Sequence, residues 1–297
     1  MIITPLDLNY QNIPRATAAY LVSAPGGPVL VETGPAATLD TLKARLAAHG
    51  YTPADVRHVL VTHIHLDHAG AAGWWAQQGA QVYVHHVGAP HLVDPSRLLS
   101  SARRIYGESM DQLWGQMLPA PAGQVRALHD GDVVQANGLT FTALDTPGHA
   151  RHHLVFLLGQ VAFTGDAAGV RMPGSDFISI PAVPPEFDLQ TWQETVTRLL
   201  DLNLGTLYPT HYGPIENVRE HLQALSALLD EAAQFVRARM QAGLERDALV
   251  EQYTAWQHRR AQSHGFARGD LERLETANPT FMSADGLMRY WHKRAGL

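Results

Sequence analysis

Val59-Leu60-Val61-Thr62-His63-Ile64-His65-Leu66-Asp67-His68-Ala69-Gly70 is the stretch that decides the fold. Its first part is apolar and β-branched, the composition of a buried strand. The rest places three histidines and an aspartate within six positions. Residues two apart on an extended segment point the same way, so His63 and His65 present their imidazoles to one point. Asp67 and His68 fall where the chain should turn into a helix, predicted over 69–77, and can face a second point nearby. Nitrogen and carboxylate donors at this density suit a divalent transition metal, zinc foremost. The competing reading is a histidine-rich surface turn that binds nothing. A strand on one side and a helix on the other argue against it.

Working outward, residues 18–22 and 29–31 read as two strands joined by the Pro25-Gly26-Gly27-Pro28 turn. Residues 39–48 read as a helix, with Leu39, Leu42 and Leu46 on one face and Gly50 just past its end. Residues 80–84 form another strand, and this alternation of strand and helix indicates an α/β domain. Residues 88–123 break the rhythm. Leu98, Leu99, Ala102, Ile105 and Tyr106 recur at helical spacing, as do Met110, Leu113, Trp114 and Met117, giving a helical insertion. It reads as a packed helical pair with Arg103 and Arg104 facing water, or as a lid that selects substrate.

Strands return at 133–134, 139–144, 154–158 and 161–164, with hairpin signals at Asn137-Gly138 and Gly159-Gln160. Residues 173–185 read as an irregular loop, 189–200 as a helix and 206–209 as a last strand before His211. Beyond residue 215 the pattern is helical: Leu222, Leu225, Leu229, Ala232 and Val236 trace one face of a long helix. A second helix begins near Leu249, and shorter ones are expected near Leu271 and Leu287. This tail holds eleven basic and eleven acidic residues, so the net charge of −6 resides in the preceding chain. The predicted organisation is a catalytic domain over 1–215, carrying the 88–123 insertion, and a helical appendage over 216–297.

The chain has 297 residues and no cysteine, which excludes disulfides, thiolate zinc ligands and a cysteine nucleophile. Residues 1–11 show neither a basic nor an apolar signal region, and no apolar run approaches membrane-spanning length. The expectation is a cytoplasmic protein without a membrane partner. The acidic balance gives no electrostatic footprint for nucleic acid. A small-molecule substrate is expected, and a homo-oligomer is left open.

Three further strand ends each carry a potential ligand: Thr146-Pro147-Gly148-His149, Thr164-Gly165-Asp166 and Pro209-Thr210-His211-Tyr212-Gly213. The order H-x-H-x-D-H, P-G-H, G-D and T-H resembles the metallo-β-lactamase superfamily of binuclear metal hydrolases over about residues 15–215. That resemblance implies a four-layer αβ/βα sandwich with metals held between the edges of two sheets. It implies His63, His65 and His149 on a first metal, Asp67, His68 and His211 on a second, and Asp166 bridging the two. Seven ligands exceed one tetrahedral ion and suit two ions about 3.5–4 Å apart. Zinc is the expected metal, with iron or manganese as alternatives. A water shared by two cations loses its proton near neutral pH and becomes a nucleophile. Asp67 could orient that water or take up its proton, a role the resemblance also suggests.

Four further positions carry secondary expectations. Glu32 stands where the family usually has the aspartate of a D-T-G turn, and its longer side chain would hydrogen-bond a ligand histidine. His153 matches a histidine of glyoxalase II-like and lactonase-like members and would brace the site, or else is an ordinary buried histidine. His85, His86, His152 and His221 read as surface or packing histidines. Tyr212 is a candidate hydrogen-bond donor to substrate, while its aromatic bulk favours a ring that caps the core.

The absence of cysteine excludes the commonest lactamase subclasses. Asp166 resembles the bridging carboxylate of glyoxalase II, the lactonases and the RNA-processing nucleases. The leading expectation is a dinuclear hydrolase of an ester, lactone or thioester. The alternatives are an iron-dependent oxidoreductase resembling persulfide dioxygenases, a phosphodiesterase of the same fold, and a metal-stabilised binding module.

Overall fold

The apolar runs assemble into two β-sheets. In the computed structural model, which describes residues 2–295, the first sheet comprises β1 (Ile2–Asp7), β2 (Ala18–Ala24), β3 (Gly27–Val31), β4 (His58–Leu60), β5 (Gln81–His85) and β6 (Val125–Leu128). They lie in sequence order. β1 to β3 pair antiparallel, and β3 to β6 pair parallel. Parallel neighbours need crossover connections. These are α1 (Leu39–Ala48), then α2 (Leu66–Ala69) with α3 (Ala72–Gln77), then α4 (Ala89–Val93), α5 (Ser96–Tyr106) and α6 (Met110–Trp114).

The second sheet comprises β7 (Val133–Ala136), β8 (Leu139–Asp145), β9 (Leu154–Leu158), β10 (Val161–Gly165) and β11 (Thr206–Pro209). Hairpins link β7 to β10 antiparallel, and β11 joins β10 in parallel after the crossover through α7 (Leu189–Leu200). The chain closes with α8 (Val218–Gln241), α9 (Arg246–Ser263), α10 (Arg268–Ala277) and α11 (Thr280–Ala295).

Strand alternation sorts the side chains into layers. On β2, Tyr20 and Val22 face inward, where they meet Phe141, Phe156 and Phe163 of the second sheet. Fully burying each of those rings contributes roughly 1.5–3 kcal/mol. Leu21 faces the other way and joins Leu42, Leu46 and Trp75 beneath the first helical layer. On the far side, Val155 and Leu207 pack on Trp192, Leu225, Tyr253 and Leu287, so α7, α8, α9 and α11 share one core with the second sheet. The result is the expected four-layer αβ/βα sandwich, with helices between β5 and β6 and a helical C-terminal region. Among the described residues no helix is long and apolar enough to cross a membrane.

The helix predicted over 69–77 instead starts at Leu66, stops after Ala69 and resumes at Ala72. The backbone N–H groups of Thr33 and Gly34 donate to the His68 carbonyl, at 2.8 and 3.2 Å, and Ala71 donates to the Gly34 carbonyl. The loop after β3 thus claims the acceptor that a continuous helix needs. Asp67 and His68 thereby sit in a separate first turn. At the opposite side, a Cβ on Gly286 would lie 1.8 Å from the Ala182 carbonyl oxygen, so α11 packs directly on the backbone of the 181–184 segment.

Candidate metal centre

All seven expected ligands lie at one edge of the sandwich. The chain after β4 supplies His63 and His65, α2 supplies Asp67 and His68, and the β8–β9 connection supplies His149. Asp166 directly follows β10, and His211 follows β11 by two residues. His63 Nε2 and His149 Nε2 each lie 3.0 Å from His65 Nδ1, and 3.2 Å from one another. Asp67 Oδ2 lies 3.5 Å from His68 Nε2 and 3.3 Å from His211 Nε2. Asp166 stands between the two groups. Its Oδ2 is 3.4 Å from His149 Nε2, and its Oδ1 is 3.4 Å from His68 Nε2.

These groups fit cations. His149 donates Nδ1–H to the Pro181 carbonyl at 2.6 Å, which leaves its Nε2 lone pair aimed at the other two imidazoles. Tetrahedral coordination at about 2.0–2.1 Å separates neighbouring donors by about 3.3 Å, close to the 3.0–3.2 Å found. In the second group His68 Nε2, His211 Nε2 and Asp166 Oδ1 are buried without hydrogen-bond partners. Each buried polar atom left so costs about 1–3 kcal/mol, which a shared cation removes. Their other nitrogens are already taken: His68 Nδ1–H donates to Glu32 Oε1 at 3.2 Å and His211 Nδ1–H to the Ala16 carbonyl at 2.9 Å. Such outer contacts fix tautomer and ring orientation before any ion arrives.

The electrostatics divide the same way. Burial, then the neighbouring imidazoles, holds His63 and His149 well below the usual histidine range. Burial and His152 take His65 down to about 3. These three rings are therefore neutral, with lone pairs free. Burial also opposes charge on His68 and His211, but Asp67 and Asp166 outweigh it and raise both. Asp67 is held well below the carboxylate range: burial opposes this, and His68 and His211 prevail. Asp166, the more enclosed carboxylate, is raised by burial despite the same two histidines.

Side chains from the strand ends hold the ligands from behind. Glu32, 1% exposed, also accepts from Thr62 Oγ1 and N and from Thr210 Oγ1. Thr62 Oγ1 in turn accepts Nδ1–H of His63. His153 accepts the Asp166 backbone N–H at Nε2, 3.2 Å, and donates Nδ1–H to Thr146 Oγ1, 2.8 Å. Gly165, at φ 49°, makes this approach feasible, because a Cβ there would sit 2.3 Å from Thr62 Oγ1.

Tyr212 follows the core-capping reading and not the catalytic one: its ring packs partly buried against the core between the sheets. It lines a separate cleft with Arg15 and Arg171, whereas His65, Asp67 and Asp166 line a cavity of about 670 Å³. Burial and then Asp7 push its pKa up to about 12. Tyr212 N–H is held by the carbonyl of Arg171, which lines the same cleft.

The tyrosines on the cavity side are Tyr10 and Tyr106. Both hydroxyls have their pKa raised, by burial first and then by the charge of Asp67. Neither carries a motif; Tyr106 is legible only as part of the insertion, and Tyr10 sits in an irregular turn. His152 also belongs here. It is buried beside His65, with ring centroids 5.3 Å apart, and its Nε2 lies 3.2 Å from Glu186 Oε2. His85 and His221 are buried, the first beside Asp145 and the second on the Ala168 carbonyl, while His86 stacks on His129.

Fold and site together define a four-layer αβ/βα sandwich whose paired sheet edges carry a histidine–aspartate cluster fit to hold metal. The chain belongs to the metallo-beta-lactamase superfamily, whose model matches residues 12–211. The lactamase-like protein adaB of Aspergillus niger is 32% identical over 239 residues, covering 78% of this chain and 60% of that protein. The atrochrysone carboxyl ACP thioesterase of Aspergillus fumigatus is 29% identical over 213 residues, covering 70% of this chain and 55% of its own length. The chain thus spans under two thirds of these relatives. A metallo-beta-lactamase family protein from Thermus thermophilus shares the fold at TM-score 0.69 and 23% identity, over 99% of this chain and 93% of that one.

Proposed function

We propose that the protein is a dinuclear metal-dependent hydrolase that cleaves an ester, lactone or thioester of a small molecule. The observation that carries this reading is the pair of ligand groups joined by Asp166, open to a cavity. His63, His65 and His149 would hold one ion, Asp67, His68 and His211 the other, with Asp166 shared. Two divalent cations, zinc by the donor set with iron or manganese as alternatives, would supply Lewis-acid polarisation of the acyl oxygen and an acidified water. Asp67 and Asp166 both line the cavity, and Asp67, its side chain 21% exposed against 5%, is the more accessible of the two. Asp67 would orient the attacking water and accept its proton. His153 and Glu32 keep the ligands in register. The relative named as an ACP thioesterase supports acyl-bond cleavage.

The test strips metal with chelator, restores zinc, manganese or iron separately, and screens acyl esters, lactones and thioesters. Restored turnover on at least one acyl class, with two ions bound per chain, is expected. No metal-dependent turnover on any acyl substrate overturns the reading, and one iron per chain with oxygen uptake on a persulfide replaces it.

A further inference from the structure

The cavity over the ligands is walled by segments that supply no ligand. One wall is α5 and α6, through Leu98, Ala102, Ile105, Tyr106 and Trp114. The facing wall is the 181–186 segment with Phe281 and Met282 of α11. The walls meet where Tyr106 Oη lies 3.5 Å from Met282 Sδ. Tyr10 stacks on Trp114 with centroids 5.5 Å apart, and Tyr106 meets the same indole edge-on at 5.1 Å. The lining carboxylates beyond the ligands are already engaged. Glu186 takes Arg151 and His152, and Glu275 takes His258 and Thr280.

The mouth repeats the pattern. Five large hydrophobic side chains are exposed among the described residues, and three of them, Val87, Ile105 and Phe281, border this cavity. A single exposed apolar residue needs no explanation. Three converging on one opening mark the path of an apolar ligand.

Resting on the hydrolase reading, we infer that the acyl group of the substrate is large and apolar, with roughly ten carbons or more, the size class a cavity of several hundred Å³ accepts. The carbonyl sits at the ligand edge beside Asp67. The carbon skeleton lies between α5–α6 and α11, against the Tyr10–Trp114–Tyr106 rings.

The test uses the zinc-loaded full chain and nitrophenyl esters of acetate, hexanoate, decanoate and 1-naphthoate below their aggregation limits. The expected result is kcat/KM rising by up to about fourfold per added methylene until the cavity fills. The decanoyl and naphthoyl arms distinguish a linear chain from fused rings. Ile105→Asp and Phe281→Asp should lower the decanoyl-to-acetyl ratio of kcat/KM. Calorimetric binding of decanoate and 1-naphthoate, with acetate as control, reads the cavity without catalysis. Flat kcat/KM along the series, with decanoate and naphthoate binding no tighter than acetate, overturns the inference and leaves the hydrolase reading standing. Tight binding of the large acids with no ester turnover supports the apolar cavity and counts against acyl hydrolysis.

Discussion

Glu32→Gln is the substitution that most directly tests how the centre is held. The Glu32 carboxylate is buried at the end of β3 and receives four donors: Thr62 Oγ1, His68 Nδ1 and Thr210 Oγ1 at Oε1, and Thr62 N at Oε2. Glutamine keeps the shape and replaces one acceptor by an NH₂. Turned to do least harm, that NH₂ faces the Thr62 N–H, which becomes a buried donor without an acceptor at a cost of about 1–3 kcal/mol. The His68 contact falls from charge-assisted to neutral, which removes about 1 kcal/mol more. The expected loss of unfolding free energy in metal-stripped protein is therefore about 2–4 kcal/mol, read by urea denaturation.

Metal affinity falls as well. Glu32 touches His68 directly and reaches His63 through Thr62, so both ion positions weaken, by roughly 10–100-fold for a partner that supports a ligand from behind. Competition for zinc against a chromogenic chelator measures that loss. An unchanged urea midpoint together with unchanged zinc competition would refute the role given to Glu32.

Three further outcomes follow from the same geometry. His221 is buried on the Ala168 carbonyl, and burial takes its pKa down to about 4. Between about pH 6.5 and 4 the unfolded chain binds a proton that the folded chain refuses, so its contribution is full above 6.5 and falls by about 3 kcal/mol as pH drops. His221→Gln, whose amide can donate to the same carbonyl, should flatten that acid slope in unfolding experiments. Gly286→Ala forces a Cβ to within 1.8 Å of the Ala182 oxygen and should destabilise the protein by about 1–3 kcal/mol, seen as a lower melting temperature. Tyr212→Phe should leave kcat/KM for acyl substrates unchanged, because the ring lines the other cleft; a large drop would restore it to the site.

The grouping of the candidate ligands was legible because His63, His65, His149, Asp166 and His211 each follow an apolar strand, whose period sets side-chain direction, with Asp67 and His68 on the helical turn just beyond the first. His63 and His65 share a face, and the strands before His149, Asp166 and His211 are plain from their own composition. Glu32 was readable as a candidate and not as a hub, since its tie to Thr210 spans 178 positions and depends on how the two sheets meet. The catalytic candidacy of Tyr212 rested on its nearness in sequence to His211, which says nothing about direction once the chain turns, whereas its aromatic bulk pointed to the core it packs on. The cavity walls were illegible for a related reason. Helical spacing identifies Leu98 and Tyr106 as apolar-face residues, and only tertiary packing shows that part of that face is left uncovered above Asp67.

The separation of walls from ligands has an evolutionary reading. α5 and α6 supply neither a candidate ligand nor a hydrogen bond to one, whereas α11 packs on the 181–184 segment whose Pro181 carbonyl holds His149. On the proposed hydrolase reading, changes in α5 and α6 retune which molecules are accepted without revisiting the reactive chemistry. Grafting 88–123 from a relative into this scaffold offers a direct way to transplant preference while reactivity is inherited from the host.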